Sequence, residues 1–399
     1  MKVLVLNAGS SSMKFKLYDM IDKSVIAEGN CQRLGLPESE IKYVSNKKLV
    51  LTEHLENHGE ALMRMIELLT TGDTKVIESI EEIGAIGHRV SMGGPNYRRS
   101  TLVDDAVLEA VNTLSIITPL HNPPQAMCIR ECQKIFGKDF PMAIGFDTAF
   151  HHSIPEKVYT YAIPHELAEK YGVRRYGFHG LSYQYVVERY DEITGGKAQT
   201  EKMVVCHLGG GASATAVKFG KSLDNTFGFG TGEGLVAGSR AGSLDHVAIG
   251  YLMEKTGMSY SEIEVLLHKD SGILGISGVS SDEKELEDAA AEGNKRAQLA
   301  LDVMAHNVTK TIGAYAFEMG GLDTIIFTGG IGENSDIMRE LICRGLDGVG
   351  IVLDKQANVE HNRTEHEISD KSSKVKIWII PTNEELVIAQ DTFKLVSAL

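Results

Sequence analysis

The chain opens on an apolar run, Val3–Leu6, followed by the small-residue segment NAGSSS at 7–12 and then an alternation. Met13, Phe15 and Leu17 fall on one face of that alternation, and Lys14, Lys16 and Tyr18 on the other. This pattern predicts a buried strand, a tight turn and a half-exposed strand. VIAEG at 25–29 supplies a third strand, and apolar residues at helical spacing predict a helix over 54–69. AIGHRVSMGG reads as a strand entering a glycine turn. A helix over 103–117 is closed by TPLHNPP, and Pro123–Pro124 open the next one. MAIGFDTAFH is a strand running into a polar loop.

From Lys202 the opening plan returns: KMVVCHLGGGASATAVKFG is again apolar strand, glycine turn and second strand. Aligning Lys2 with Lys202 places Asn7 over His207 and Gly9 over Gly209. Helices are predicted over 245–257, 260–268 and 282–318. LDTIIFTGGIGENSDIMRELI is a strand, a glycine loop and a helix start, and the chain ends with the strand VKIWIIP and a helix from Glu384. Strands mixed with helices predict an α/β architecture. The hairpin that begins each half argues against a doubly wound Rossmann order. At 399 residues the chain suits two domains, with a boundary near residue 150.

Composition narrows the function classes. Lys and Arg number 40 against 54 Asp and Glu, a net charge of −14, which disfavours nucleic acid and anionic membranes as partners. No apolar run reaches the length of a bilayer span, and the N-terminus lacks the order of a signal peptide. The five cysteines are scattered and odd in number. They read as reduced thiols of a cytoplasmic protein; Cys128 and Cys132 share a helix face, but no second pair completes a metal site.

Three glycine turns each follow an apolar strand: NAGSSS, HLGGGAS at 207–213 and TGGIGENS at 328–335. Glycine lets backbone N–H groups approach and converge on a phosphate. Ser10, Ser11 and Ser12 add hydroxyl donors and Lys14 a charge. Each turn alone is equally a plain hairpin, and none has a Walker ending. Polar residues also sit at strand ends: Arg89 in GHRVSMGG, Asp147 after AIGF, His179 in YGFHGLS, Arg240 in VAGSRAGS and Glu384 after IIPTN. The bland readings are surface ion pairs for the arginines, a core histidine, and helix N-caps for Asp147 and Glu384. No nucleophile elbow or HExxH pair is present.

Together these segments resemble the acetate kinase family, within the acetate and sugar kinase/Hsp70/actin superfamily. The likeness runs end to end through LNAGSSSMKFKL, GHRV, TPLHNPP, FDTAFH, YGFHGLS, CHLG, FTGGIGENS and PTNEEL in order. It implies duplicated ribonuclease H-like (actin-like ATPase) domains flanking a cleft. The first domain would span 1–150, completed by the C-terminal helix 385–399, and the nucleotide-binding second domain 151–384. It also implies a homodimer using ATP/ADP with Mg2+ or Mn2+. Carried over by position, Asn7 and Glu384 would hold the metal and Arg89 the substrate carboxylate. His179 and Arg240 would stabilise the transferring phosphoryl group, with Asp147 beside the reacting oxygens. Ser91, Leu120, Phe178 and Thr231 would line the acceptor pocket. Ser10, Ser12, Lys14, His207, Leu208, Gly209, Gly210, Gly211, Asp282, Glu283, Lys284, Gly330, Ile331, Gly332, Glu333 and Asn334 would contact ATP.

Some positions depart from the family pattern. Ser91 and Met92 stand where Val and His are usual, Thr231 where a pocket proline is common, and Gly210 where the family has Asn. Lys284 replaces an Arg near the nucleoside, and Ser243 and His246 replace an Asp and a Pro. The implied activity is transfer of the ATP γ-phosphoryl group to a short-chain carboxylate, acetate first, with propionate or butyrate as the alternative. A sugar kinase would need an aspartate base and have less use for Arg89. An actin- or chaperone-like ATP clamp would leave the arginine and histidine motifs without purpose.

Overall fold

The computed structural model describes all 399 residues. They form two compact units, one of Met1–Phe150 with Asn383–Leu399 and one of His151–Thr382.

Unit 1 is built on an eight-stranded sheet. Its strands are β1 (Lys2–Ala8), β2 (Ser12–Asp19), β3 (Ser24–Gln32), β4 (Ser39–Val44), β5 (Lys48–Glu53), β6 (Ile83–Val90), β7 (Thr101–Leu102) and β8 (Met142–Phe146). They lie in the order β5-β4-β3-β2-β1-β6-β8-β7. The first five form an antiparallel meander, whereas β6 and β8 run parallel to β1. Helices cover both faces of the parallel part, so β8 is buried at every residue, as a parallel strand should be. The helix Asn122–Phe136 packs on β6 and β1, and the C-terminal helix Glu384–Val396 packs on β6, β8 and β1. The second contact is close. A Cβ on Gly87 would stand 2.6 Å from Ile388 Cγ2, so glycine admits that helix to the sheet.

Unit 2 repeats the plan. Its strands are β9 (Lys202–Leu208), β10 (Ala212–Lys218), β11 (Lys221–Asn225), β12 (Thr324–Thr328), β13 (His366–Glu367) and β14 (Lys376–Ile379), ordered β11-β10-β9-β12-β14-β13. Again three antiparallel strands lead, and two strands parallel to the first follow. This repeated scheme is the duplicated ribonuclease H-like architecture, and β1 and β9 start and end at the aligned positions.

Several expectations need correction. Tyr18 is buried, its hydroxyl donating to Asn383 Oδ1 at 3.2 Å, so the second strand is less amphipathic than its alternation suggests. Its counterpart β10 does not alternate at all: six of its seven residues are buried, because small Ala and Ser side chains fit under cover on both faces. The helix over 54–69 begins at His58, where Asn57 caps it by accepting from the N–H groups of Gly59 and Glu60. The helix over 282–318 is two helices, Glu283–Ala291 and Lys295–Met319. Gly293 takes φ 96° between them and Asn294 caps the second. The glycine loop of 328–335 is itself a short helix, Gly329–Asn334. All five cysteines are free and buried. No helix is long and apolar enough to cross a membrane.

Candidate active site

In unit 1, three neighbouring parallel strands deliver polar residues to one edge. Asn7 lies near the end of β1, Arg89 near the end of β6 and Asp147 just past β8, where its N–H donates to Val90 O at 3.0 Å. The carboxyl ends of parallel strands are the usual place for ligands in such sheets. Arg89 binds Asp147 through both carboxylate oxygens, Nε to Oδ1 at 3.0 Å and Nη2 to Oδ2 at 2.8 Å. Its remaining nitrogen, Nη1, stands 3.4 Å from Glu384 Oε2. Burial works against the Arg89 charge, but Asp147 and Glu384 outweigh it and hold the guanidinium firmly protonated. Glu384 behaves in the opposite way. Burial pushes its carboxyl up to about 7, and Asp147 and Glu385 add to the rise against the pull of Arg89 and Lys14. Asp147 and Glu384 are therefore more than N-caps; Asn383 is the residue that caps the last helix, accepting from Leu386 N–H.

The turn after β6 is clamped from the first turn of the helix Asn122–Phe136. Gln125 Oε1 accepts from Ser91 N–H at 2.9 Å and its Nε2 donates to Ser91 Oγ at 3.1 Å. Asn122 bonds both backbone groups of Met92, and Gly93 N–H donates to Thr148 Oγ1. Ser91 is thus buried with its hydroxyl engaged, and only its small size, not a free polar group, bears on a pocket. Leu120 is exposed. Ser10, on the β1–β2 turn, and Lys14, in β2, are exposed and Ser12 at the start of β2 is half-buried, while His58 Nε2 lies 2.7 Å from Gly9 O.

In unit 2 the groups converge on the turn between β9 and β10. His179 occupies the N-cap position of the helix Gly180–Thr194 at φ 58°, a left-handed conformation that only the surrounding structure maintains. Its Nδ1 lies 2.9 Å from Ser213 Oγ, which also bonds Tyr183 Oη at 2.6 Å. His207 stacks near it, with ring centroids 4.2 Å apart, and is held by Ser182 Oγ at 2.8 Å. A Cβ on Gly211 would stand 3.5 Å from His179 Nε2 and 3.7 Å from Arg240 Nη1, so the tips of both side chains meet at this glycine. Half-buried Arg240 has no ion pair and no side-chain hydrogen bond, and burial alone lowers its pKa. Gly210 and Gly330 are open, with no atom within 4 Å of a Cβ built on them, and a Cβ on Gly209 would lie 3.5 Å from Gly330 N. The first residues of the Gly329–Asn334 helix therefore adjoin the turn.

Other assigned residues are placed differently. Phe178 is fully buried, edge-on to Phe227 at 5.8 Å, and it is Phe227 that lies edge-on to His179 at 5.1 Å. Glu283 points inward, where Ser335 Oγ donates to it at 2.9 Å and to Glu287 at 2.5 Å; burial pushes its carboxyl up to about 8. Glu333 accepts from Gly329 and Thr382 N–H groups, and Leu208, Ile331 and Gly332 are buried. These residues shape the site without offering side chains to a ligand. Asp282 caps its helix and Lys284 pairs with Glu287 and Asp288, both at its exposed start. Asn334 accepts from Arg363. Thr231 lies on a loop braced by Arg175, which donates to Glu233 at 2.7 Å and to Asn225 O at 2.7 Å. Ser213 and Arg175 were not among the sequence candidates. Ser213 was in reach of the hairpin, because it pairs with His207 across β9 and β10.

The sequence profile of the acetokinase family matches residues 2–390. Acetate kinase of Methanosarcina mazei is 46% identical over 394 residues, 98% of this chain and 96% of that protein. The crystal structure of Porphyromonas gingivalis acetate kinase superposes with a TM-score of 0.93 at 41% identity, covering 99% of both chains. A propionate kinase from Francisella tularensis subsp. tularensis SCHU S4 superposes with 0.92 at 37% identity, again over 99% of both.

The raised Glu384 carboxyl has a consequence for stability. The folded chain holds this proton more tightly than the unfolded chain, so its stabilisation is complete below pH 4.5 and is lost as pH rises toward 7. Urea unfolding across pH 4–8 is expected to show Glu384→Gln lacking up to about 3 kcal/mol of the parent's decline. Parallel curves for the two proteins would contradict the buried-carboxylate reading.

Proposed function

The chain belongs to the acetokinase family and is a carboxylate kinase; on that premise we propose that it transfers the γ-phosphoryl group of ATP to a short-chain carboxylate, acetate first. A carboxylate oxygen attacks the γ-phosphorus, the bond to the bridging oxygen breaks, and ADP leaves with the electron pair, giving an acyl phosphate. No proton moves, because the acceptor is already ionised at neutral pH. What opposes the reaction is repulsion between two anions, and the residues needed are cations and positioning groups.

Arg89 is suited to the acceptor. Asp147 fixes its plane through two bonds, while Nη1 faces Glu384 at 3.4 Å, a looser contact than the pair with Asp147. In this reading Asp147 orients Arg89 and is not a base. His179 and Arg240 serve the phosphoryl oxygens, and the observation that carries the proposal is Arg240 itself. It is a half-buried guanidinium with no carboxylate partner, beside His179 on an open glycine turn. The open backbone of Gly209–Gly211 and Gly330 would accommodate the phosphate chain, with Asp282 and Lys284 toward the nucleoside. Asn7, Asp147 and Glu384 are hard oxygen donors with more negative charge than Arg89 balances, which suits Mg2+ or Mn2+. Such an ion, when bound, neutralises charge on the phosphate oxygens.

Ser91 and Thr231 favour a roomier pocket than Val and Pro would leave, so propionate is the second acceptor to weigh. We also propose a homodimer. The helix His246–Thr256 buries none of its residues and leaves Val247 64% and Tyr251 59% exposed, an apolar face suited to a second copy. A cytoplasmic location accords with five buried free thiols.

Hydroxylamine trapping with ATP and a panel of acids tests the reaction, since only an acyl phosphate yields a hydroxamate. Acetate is expected to give product, and Arg240→Ala to lower kcat roughly 10²–10³-fold. ATP turnover without hydroxamate would refute acyl transfer. Ser91→Val with Thr231→Pro is expected to shift kcat/KM toward acetate over propionate by about tenfold. An unchanged ratio would show that these positions do not form the pocket wall.

A further inference from the structure

Behind the Arg89 face of the sheet lies a second group of potential ligands. His88, one residue before Arg89, points from β6 to the opposite side, where the helix Asn122–Phe136 packs. Cys128 and Cys132, four residues apart on that helix, share the face toward the strand. One donor atom from each of the three residues lies within 4.8 Å of the other two, and all three side chains are buried. His88 Nε2 is shut off from solvent and has no hydrogen-bond partner. Buried polar nitrogens are almost always bonded, so an orphan on a histidine grouped with two thiols asks for an explanation.

We propose that His88, Cys128 and Cys132 form a binding site for a soft, thiophilic d10 cation, with three-coordinate Cu(I) as the occupant that fits best. Two sulfurs and an imidazole nitrogen select soft or borderline ions over Mg2+ or Ca2+, which require oxygen. Zn2+ in closed protein sites takes four ligands, and no fourth His, Cys, Asp or Glu joins this group. Both cysteines bind a metal as thiolates, so Cu(I) replaces two thiol protons, which leave to solvent, and it is the three-donor count, not charge, that selects Cu(I) here. The scaffold is rigid, since β6 is flanked by β1 and β8 and the helix is anchored at its start by the Asn122 and Gln125 clamps. Donors around an ion bonded at roughly 2.0–2.3 Å stand about 3.5–4 Å apart, so side-chain adjustment closes the site.

The test uses the full-length protein from copper-supplemented cells, and the same protein titrated with Cu(I) under argon against a Cu(I)-specific chelator. Metal content after desalting is expected to be a single Cu(I) per chain, with X-ray absorption showing two sulfurs and one nitrogen. Cys128→Ser and Cys132→Ser are expected to lower retention about tenfold or more, while Cys31→Ser, a buried thiol elsewhere in unit 1, keeps it. Circular dichroism of each variant separates lost folding from lost ligand. The proposal is overturned if the parent retains no copper, if the two serine variants retain as much as the parent, or if Zn2+ displaces Cu(I) in competition.

Discussion

A positive charge taken out of water must be compensated, and three sheltered arginines of this chain differ in how far that is met. Arg89 faces two carboxylates. Arg339, fully buried, donates to Asn358, Gly332 O and Asn362, so its charge is spread over four acceptor contacts. Arg240 has neither, and burial depresses its pKa with nothing nearby to oppose it. Leaving a cation half-desolvated and unpaired costs folding free energy unless something outside the protein completes the pairing. The glycine turn beside it, open at Gly210, leaves space for an anion. The phosphoryl site proposed above depends on that one uncompensated charge.

The scaffold explains how such a group can be held in place. In unit 1 the sheet places Asn7, Arg89 and Asp147 at neighbouring strand ends, and a bidentate pair fixes Arg89 without consuming all its donors. In unit 2 the same sheet plan carries a different chemistry. His207 occupies the position aligned with Asn7, and the left-handed turn at His179 brings a second imidazole over Gly211. One unit therefore offers carboxylates with an arginine, and the other an arginine with histidines. The two units share one sheet plan and differ in the residues at its strand ends.

The parts legible in the sequence were those with short-range signals. The two opening hairpins, the glycine turns and the strand-end polar residues all follow from local periodicity and from glycine placement. What escaped was set by contacts between distant residues. Arg89 and Asp147 are 58 positions apart, so their pairing, and hence which arginine stays unpaired, has no local signature. His88 stands 40 positions before Cys128, and only the packing of a helix on a strand assembles them. The break at Gly293 was hidden inside a long helical pattern, because periodicity persists across a single left-handed residue. The resemblance implies an ATP contact for Glu283, yet Ser335 draws it inward.

The most direct check is the melting temperature of Arg240→Gln beside the parent, with and without ATP. If Arg240 is an uncompensated cation kept for a ligand anion, the variant without nucleotide should melt higher by about 2–6 °C. ATP should then raise the parent's melting point markedly and the variant's hardly at all. A variant that melts lower than the parent, or that gains as much from ATP, would mean that Arg240 is already partnered and that the account of this site is wrong.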